Sequence, residues 1–193
     1  MLDPQRKSPL RLSRRGFLRG LLVGGSVAFV QGLPVRAMAS DLVAPDRSIW
    51  LVNTHTGEEL STEFFRAGSY ADESLTALNH LLRDYRTGDV APIDPRLFDL
   101  LHDMARLADC EPRYEVISGY RSPATNAMLS AQSGGVAKRS LHTQGQAIDV
   151  RLVGYRTDRL RDLALSMKSG GVGYYRKSDF IHVDTGRVRT WAG

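Results

Sequence analysis

Two short stretches limit the folds open to this chain. They are Ser140-Leu141-His142-Thr143-Gln144-Gly145-Gln146-Ala147-Ile148-Asp149-Val150 and, further along, Asp179-Phe180-Ile181-His182-Val183-Asp184. On one continuous helix His142 and Asp149 would stand about two turns apart, too far to share a metal ion at bonds of about 2 Å. Gly145 lets the chain turn between them, and residues 146–152 alternate as a strand does, with Ala147, Asp149 and Arg151 opposite Ile148, Val150 and Leu152. In the second stretch Ile181 and Val183 take the apolar side and leave His182 and Asp184 together on the other. The pattern asks for two strands that present polar side chains to one cleft. Two histidines and a carboxylate suffice for a catalytic zinc ion, whose fourth position stays open to water. Spacing alone marks His142, Asp149 and His182 as possible ligands and no more.

The remaining pattern surrounds these stretches with short strands and amphipathic helices. Residues 49–54 and 59–65 are rich in β-formers and flank the turn signal Thr56-Gly57, which predicts a hairpin. Leu75, Leu78, Leu81 and Leu82 recur at helical spacing and predict a helix over 72–86, closed by Gly88. A second helix is capped by Asp94, starts at Pro95 and buries Leu97, Leu100, Leu101, Met104 and Leu107. Residues 114–118 read as a strand, and Ser122-Pro123 opens a short helix to about residue 131. Ser133-Gly134-Gly135 begins a flexible loop that delivers Ser140 and His142, with Lys138 and Arg139 free to meet an acidic substrate. Thr157 caps a helix over 157–168 that buries Leu160, Leu163, Ala164 and Met167. Residues 172–175 and 180–184 form a hairpin around a turn at 176–179, and 188–191 add an edge strand. His55 lies at the tip of the hairpin, where turns often carry polar side chains without chemistry, His80 and His102 lack a partner at the spacing of four that builds a helical zinc pair, and Cys110, the only cysteine, can form no intrachain disulfide. Acidic Asp109 and Glu111 beside that thiol argue against a nucleophile.

The amino terminus changes the meaning of the charge. Ser13-Arg14-Arg15-Gly16-Phe17-Leu18-Arg19, an apolar run over 21–30 and Ala37-Met38-Ala39 resemble a twin-arginine export signal with its cleavage site. The apolar run is too short to span a bilayer, which needs about twenty residues. Residues 1–39 are thus read as an address, 40–47 as a linker, and 48–193 as one domain. The chain carries 26 basic and 21 acidic residues, but seven of the former and one of the latter lie before residue 40, which leaves 19 against 20. A basic pI of about 9.6 therefore belongs to the leader, and a nucleic-acid partner is excluded. Contact with a membrane is expected only transiently, through the leader and the twin-arginine machinery.

Ser140-x-His142-x-x-Gly145-x-Ala147-x-Asp149, Gly171-Val172-Gly173-Tyr174-Tyr175, Phe180-Ile181-His182-Val183-Asp184-Thr185-Gly186 and the upstream Ser118-Gly119-Tyr120-Arg121-Ser122-Pro123 resemble the M15 family of zinc peptidases, in its periplasmic murein endopeptidase branch. The resemblance implies an α+β fold with a small antiparallel sheet and helices packed on it. It also implies zinc held by His142, Asp149 and His182, and hydrolysis of stem-peptide cross-links in peptidoglycan in the periplasm. By the same likeness Arg121, at a strand end, stabilises the oxyanion that develops at the attacked carbonyl. Two carboxylates compete as proton acceptor. Asp179 stands three residues before His182, where several M15 enzymes carry an acidic residue. Asp184 stands two after it on the same face, with orientation of a ligand histidine as its rival role. Other outcomes of the same pattern are a D-alanyl carboxypeptidase and a zinc-stabilised peptidoglycan-binding module without catalysis.

Overall fold

The structure is a computed structural model that describes residues 44–132 and 137–193. The export-signal reading of 1–39, the first part of the linker and the glycines of the 133–136 loop lie outside the described residues. Alternating apolar positions make the first described segment extended. Strand β1 (Arg47–Asn53) buries Ile49, Leu51 and Asn53, and β2 (Glu59–Arg66) returns beside it after a turn in which Gly57 takes a φ of 73°. A short β3 (Ser69–Tyr70) folds back on β2. Helices α1 (Asp72–Leu81) and α2 (Pro95–Leu107) follow, then β4 (Arg113–Ser118), α3 (Pro123–Gln132) and a 3-10 turn at Leu141–Gln144. The chain ends with β5 (Ala147–Leu152), α4 (Thr157–Met167), β6 (Gly171–Tyr175), β7 (Phe180–Asp184) and β8 (Arg189–Ala192).

Among the described residues all eight strands join one sheet in the order β3-β2-β1-β4-β5-β7-β6-β8. The expectation of an α+β fold holds, but the sheet is mixed rather than antiparallel, because β1 pairs parallel with β4 and β6 parallel with β8. The β1–β4 pair needs a long crossover, and α1 and α2 supply it. Helix α1 lies on β2, α2 on β1 and β5, and α4 on β5, β6 and β7. Between these helices and the sheet a single core gathers Phe64, Leu97, Phe98, Leu101, Met104, Tyr114, Ile148, Val150, Leu160, Ile181 and Val183. Each such large side chain contributes about 1.5–3 kcal/mol on burial. Because alternate strand residues point to opposite faces, Asp149 and His182 are turned to the side away from these helices.

Three local expectations are corrected. The helix from Asp72 ends at Leu81, five residues short of 86, because Asp84 is buried as a hydrogen-bonding centre for the following turn. Leu107 is 53% exposed at the last turn of α2, so the apolar stripe of that helix ends at Met104 and Ala105. Thr157 is the first residue of α4 and not its cap; Arg156 takes the capping position with no side-chain bond. Asp94, by contrast, accepts the Arg96 amide at 3.1 Å and caps α2 as expected.

Candidate metal centre

The turn read at Gly145 is what joins the two halves of the first stretch. Residues 141–144 wind into a single 3-10 turn, and Gly145 closes it in the left-handed region at φ 66°. A Cβ there would lie 2.1 Å from the Pro92 carbonyl oxygen, so only glycine fits both the angle and the approach. The chain then enters β5, which places Asp149 directly beside His182 on β7. His142 arrives from the turn above them. Its position is clamped twice by the β4–α3 connection: the Arg121 amide donates to the His142 carbonyl at 3.2 Å, and His142 Nδ1 lies 2.8 Å from the Gly119 carbonyl.

These partners set the tautomers. A carbonyl can only accept, so His142 Nδ1 carries the proton and Nε2 is left with a lone pair. His182 Nε2 lies 3.1 Å from Asp184 Oδ2, which fixes the proton on that nitrogen and leaves Nδ1 as the acceptor. His142 Nε2, His182 Nδ1 and Asp149 Oδ1 form a triangle with sides of 3.1, 2.9 and 3.3 Å. Three acceptors facing one another with no donor between them repel unless a cation lies among them. Neighbouring ligands of a tetrahedral ion with bonds of about 2.0–2.1 Å stand about 3.3 Å apart, so the triangle fits such an ion with one position left toward the cleft. All three residues are buried, and they are the one group of metal-ligating side chains among the described residues.

Burial works against the charge on Asp149, yet without a cation in the triangle the imidazoles of His142 and His182, when protonated toward it, outweigh burial and hold the carboxyl well below the usual carboxylate range. Asp184 is fully buried and is similarly kept ionised: the desolvation cost is exceeded by bonds from His182, Arg189 and the amides of Gly171 and Gly186. Those bonds bring five donors to its two oxygens, at 2.6–3.1 Å. Since a carboxylate offers about four lone-pair directions, no free one remains for a substrate proton. The contact of Asp184 with His182 suits it to orient that ring. Asp179, the other expected proton acceptor, is not in the cleft. It sits in the β6–β7 turn at φ 52°, its Oδ1 accepting the Thr157 hydroxyl at 2.5 Å, in a separate depression beside Tyr155 and Arg176.

A cleft of about 320 Å³ opens over the triangle and is walled by Arg121, Arg139, Tyr175, Phe180, Arg189 and Trp191. Arg121 leans on Ser118 Oγ and Asn126 Oδ1 at 3.3 and 3.4 Å, and its Nη2 stays 3.9 Å from Asp149 Oδ2. The guanidinium is therefore beside the triangle without being consumed by a close ion pair. Asn126 also donates to the carbonyls of Ala137 and Lys138, which ties α3 to the segment that leads into Ser140. Sequence reasoning missed Asn126, Arg189 and Trp191; only the proximity of Arg189 and Trp191 to the His182 stretch could have hinted at them. The remaining histidines serve elsewhere. His55 stacks on Tyr85, His102 Nδ1 meets the Ser48 carbonyl, and His80 is exposed. Cys110 donates to the Ala108 carbonyl.

Known proteins resemble the chain over most of its length. Residues 42–191 match the family model described as peptidoglycan L,D-endopeptidase MepK. The chain is similar to the peptidoglycan L,D-endopeptidase MepK of Escherichia coli K12, 46% identical over 174 residues, which cover 90% of this chain and 96% of that protein. A probable peptidoglycan L,D-endopeptidase MepK of Haemophilus influenzae is 43% identical over 174 residues, covering 90% of this chain and 94% of the relative. No solved structure matches the chain.

Proposed function

The chain belongs to the peptidoglycan L,D-endopeptidase MepK family, and from that membership we propose that it hydrolyses L,D-cross-links between peptidoglycan stem peptides with a zinc ion held by His142, Asp149 and His182. The convergence of three buried acceptors at the floor of an open cleft carries this reading. A zinc ion bound there would lower the pKa of a coordinated water and polarise the scissile carbonyl. The protein's own residues do the rest. His142 and His182 present Nε2 and Nδ1 in fixed tautomers, held by the Gly119 carbonyl and Asp184. Arg121 offers its guanidinium to the negative charge that develops on the carbonyl oxygen. Tyr175, Phe180 and Trp191 exclude water from one side and give the peptide an apolar wall. A peptidoglycan substrate places the reaction in the cell envelope, and the twin-arginine-like leader makes the periplasm the compartment.

The purified chain, given cross-linked wall, should convert dimeric muropeptides that contain L,D-bonds into monomers, stop after chelation and resume with added zinc. Dimers left intact while free terminal D-alanine appears would replace this reading with a carboxypeptidase. Binding to the wall with neither product would leave a binding module.

A further inference from the structure

We propose that the last strand, β8, is a positioning device for His182, which reaches the metal centre from two strands away because β6 carries glycine at the two places where it must pass. The register across the sheet aligns His182 on β7 with Gly173 on β6 and Trp191 on β8, and aligns Gly171 with Arg189. Side chains two apart on a strand share a face, so Gly171 and Gly173 leave an open lane on the site's side of β6. Arg189 and Trp191 lie along it. Arg189 crosses to Asp184 with Nη2 at 2.6 Å from Oδ2 and Nη1 at 3.1 Å from Oδ1. Trp191 covers Gly173, and its ring reaches the His182 imidazole at 5.0 Å between centroids. Its indole nitrogen is pinned by the Tyr175 hydroxyl at 3.1 Å.

The lane has no room for a side chain. A Cβ on Gly171 would fall 2.4 Å from both Arg189 Nη1 and Asp184 Oδ2, and one on Gly173 would fall 2.6 Å from the Trp191 ring. The consequence reaches the ligand atom. Arg189 holds Asp184 in the orientation that takes the His182 Nε2 proton, and Trp191 limits rotation of the ring, so Nδ1 stays aimed at His142 and Asp149. Arg189 and Trp191 are thus positioning residues, although they line the same cleft.

The inference rests on the metal-centre reading above, and its test is made without substrate. Full-length wild type, Arg189→Met, Arg189→Lys and Gly173→Ala are titrated with zinc alone, then loaded with cobalt for its visible spectrum, with circular dichroism to follow the fold. Loss of the cation that holds Asp184, the orienting partner of His182, should weaken zinc binding by up to about 10–100-fold and shift the cobalt bands, with Arg189→Lys recovering part of the affinity. Gly173→Ala, which removes no charge or bond, should shift the bands by displacing Trp191. Wild-type affinity and wild-type cobalt bands in both Arg189→Met and Gly173→Ala overturn the proposal; if Arg189→Met does not fold, the Gly173→Ala result decides. A wild type that binds zinc but spares L,D-cross-links would refute the substrate reading and leave this inference standing. A wild type that takes up neither metal would end both.

Discussion

His182 is pulled in two directions. Burial disfavours its charged form, but Asp149 and Asp184 on either side outweigh burial and raise its pKa above 6.5. A cation needs the neutral ring, with Nδ1 unprotonated, so protons compete with the metal. Because the pKa is raised, the competition starts at a higher pH than for an ordinary histidine: zinc affinity is full above the raised value and falls as pH drops through it. Titrations between about pH 5 and 8 should show affinity already falling above 6.5, the ordinary histidine value. An affinity that stays level down to pH 6.5 would contradict the raised value. Substitution separates the roles of the neighbours. His142→Ala, Asp149→Ala and His182→Ala should each lose zinc and turnover together, since two protein ligands hold the ion poorly. Arg121→Ala should keep zinc and lose about 10²- to 10³-fold in rate, as removal of one oxyanion donor does. Asp179→Ala, bonded to Thr157 and outside the cleft, should keep both. Zinc content by atomic absorption beside turnover reads all five, and a slow, zinc-replete Asp179→Ala protein would restore that residue to the mechanism.

The segment that follows α1 shows how an element's end can serve the site. Asp84 is 2% exposed and accepts the amides of Ser122 at 2.9 Å and Arg86 at 3.0 Å. Beside it the Tyr120 amide donates to the Leu82 carbonyl at 2.7 Å, and Gly119 packs so closely on Leu82 that a Cβ would lie 2.5 Å from that carbonyl oxygen. These contacts locate residues 119–122, which in turn supply the carbonyl that fixes the His142 tautomer and the guanidinium of Arg121. Burial opposes ionisation of Asp84, but bonds from Thr125 and Ser122 and from the Ser122 and Arg86 amides bring its pKa down from 3.8 to about 2. Asp84→Ala leaves the buried Ser122 amide unpaired and should cost about 1–3 kcal/mol in urea unfolding at neutral pH. A depressed carboxyl stabilises above its unfolded pKa and stops doing so as pH falls through the folded one, so the gap between variant and wild type should close toward pH 2. Equal stability at neutral pH would remove the clasp. None of this was legible in the sequence. Leu75, Leu78, Leu81 and Leu82 report a helical face, and nothing local tells that Asp84 will be claimed by an amide 38 residues away. The α2 cap, in contrast, is a contact between Asp94 and Arg96, and such short-range chemistry is readable.

Across the whole molecule the same rule separates what could be read from what could not. Strand alternation at 147–152 and 180–184 is local, so the faces of Asp149, His182 and Asp184 could be assigned from the chain alone, and the structure brings them together. The parallel pairing of β1 with β4 and the passage of β8 to the far side of β6 depend on which edges are free after the other strands have paired, which no window of sequence contains. The proposed metal centre links these levels. Its candidate ligands come from the 3-10 turn, β5 and β7, which become neighbours only in the folded sheet, so the unfolded chain offers no comparable site. A cation that binds only the native state stabilises it by mass action, by about 2.7 kcal/mol when free metal is a hundred times its dissociation constant. For a domain of about 150 residues that corresponds to a rise of about 5–10 °C in Tm. Thermal unfolding of the chelated and zinc-loaded chain at matched concentration should show this rise in wild type and in Arg121→Ala, and none in His142→Ala. A rise of equal size in His142→Ala would mean that zinc stabilises the protein from somewhere other than the triangle.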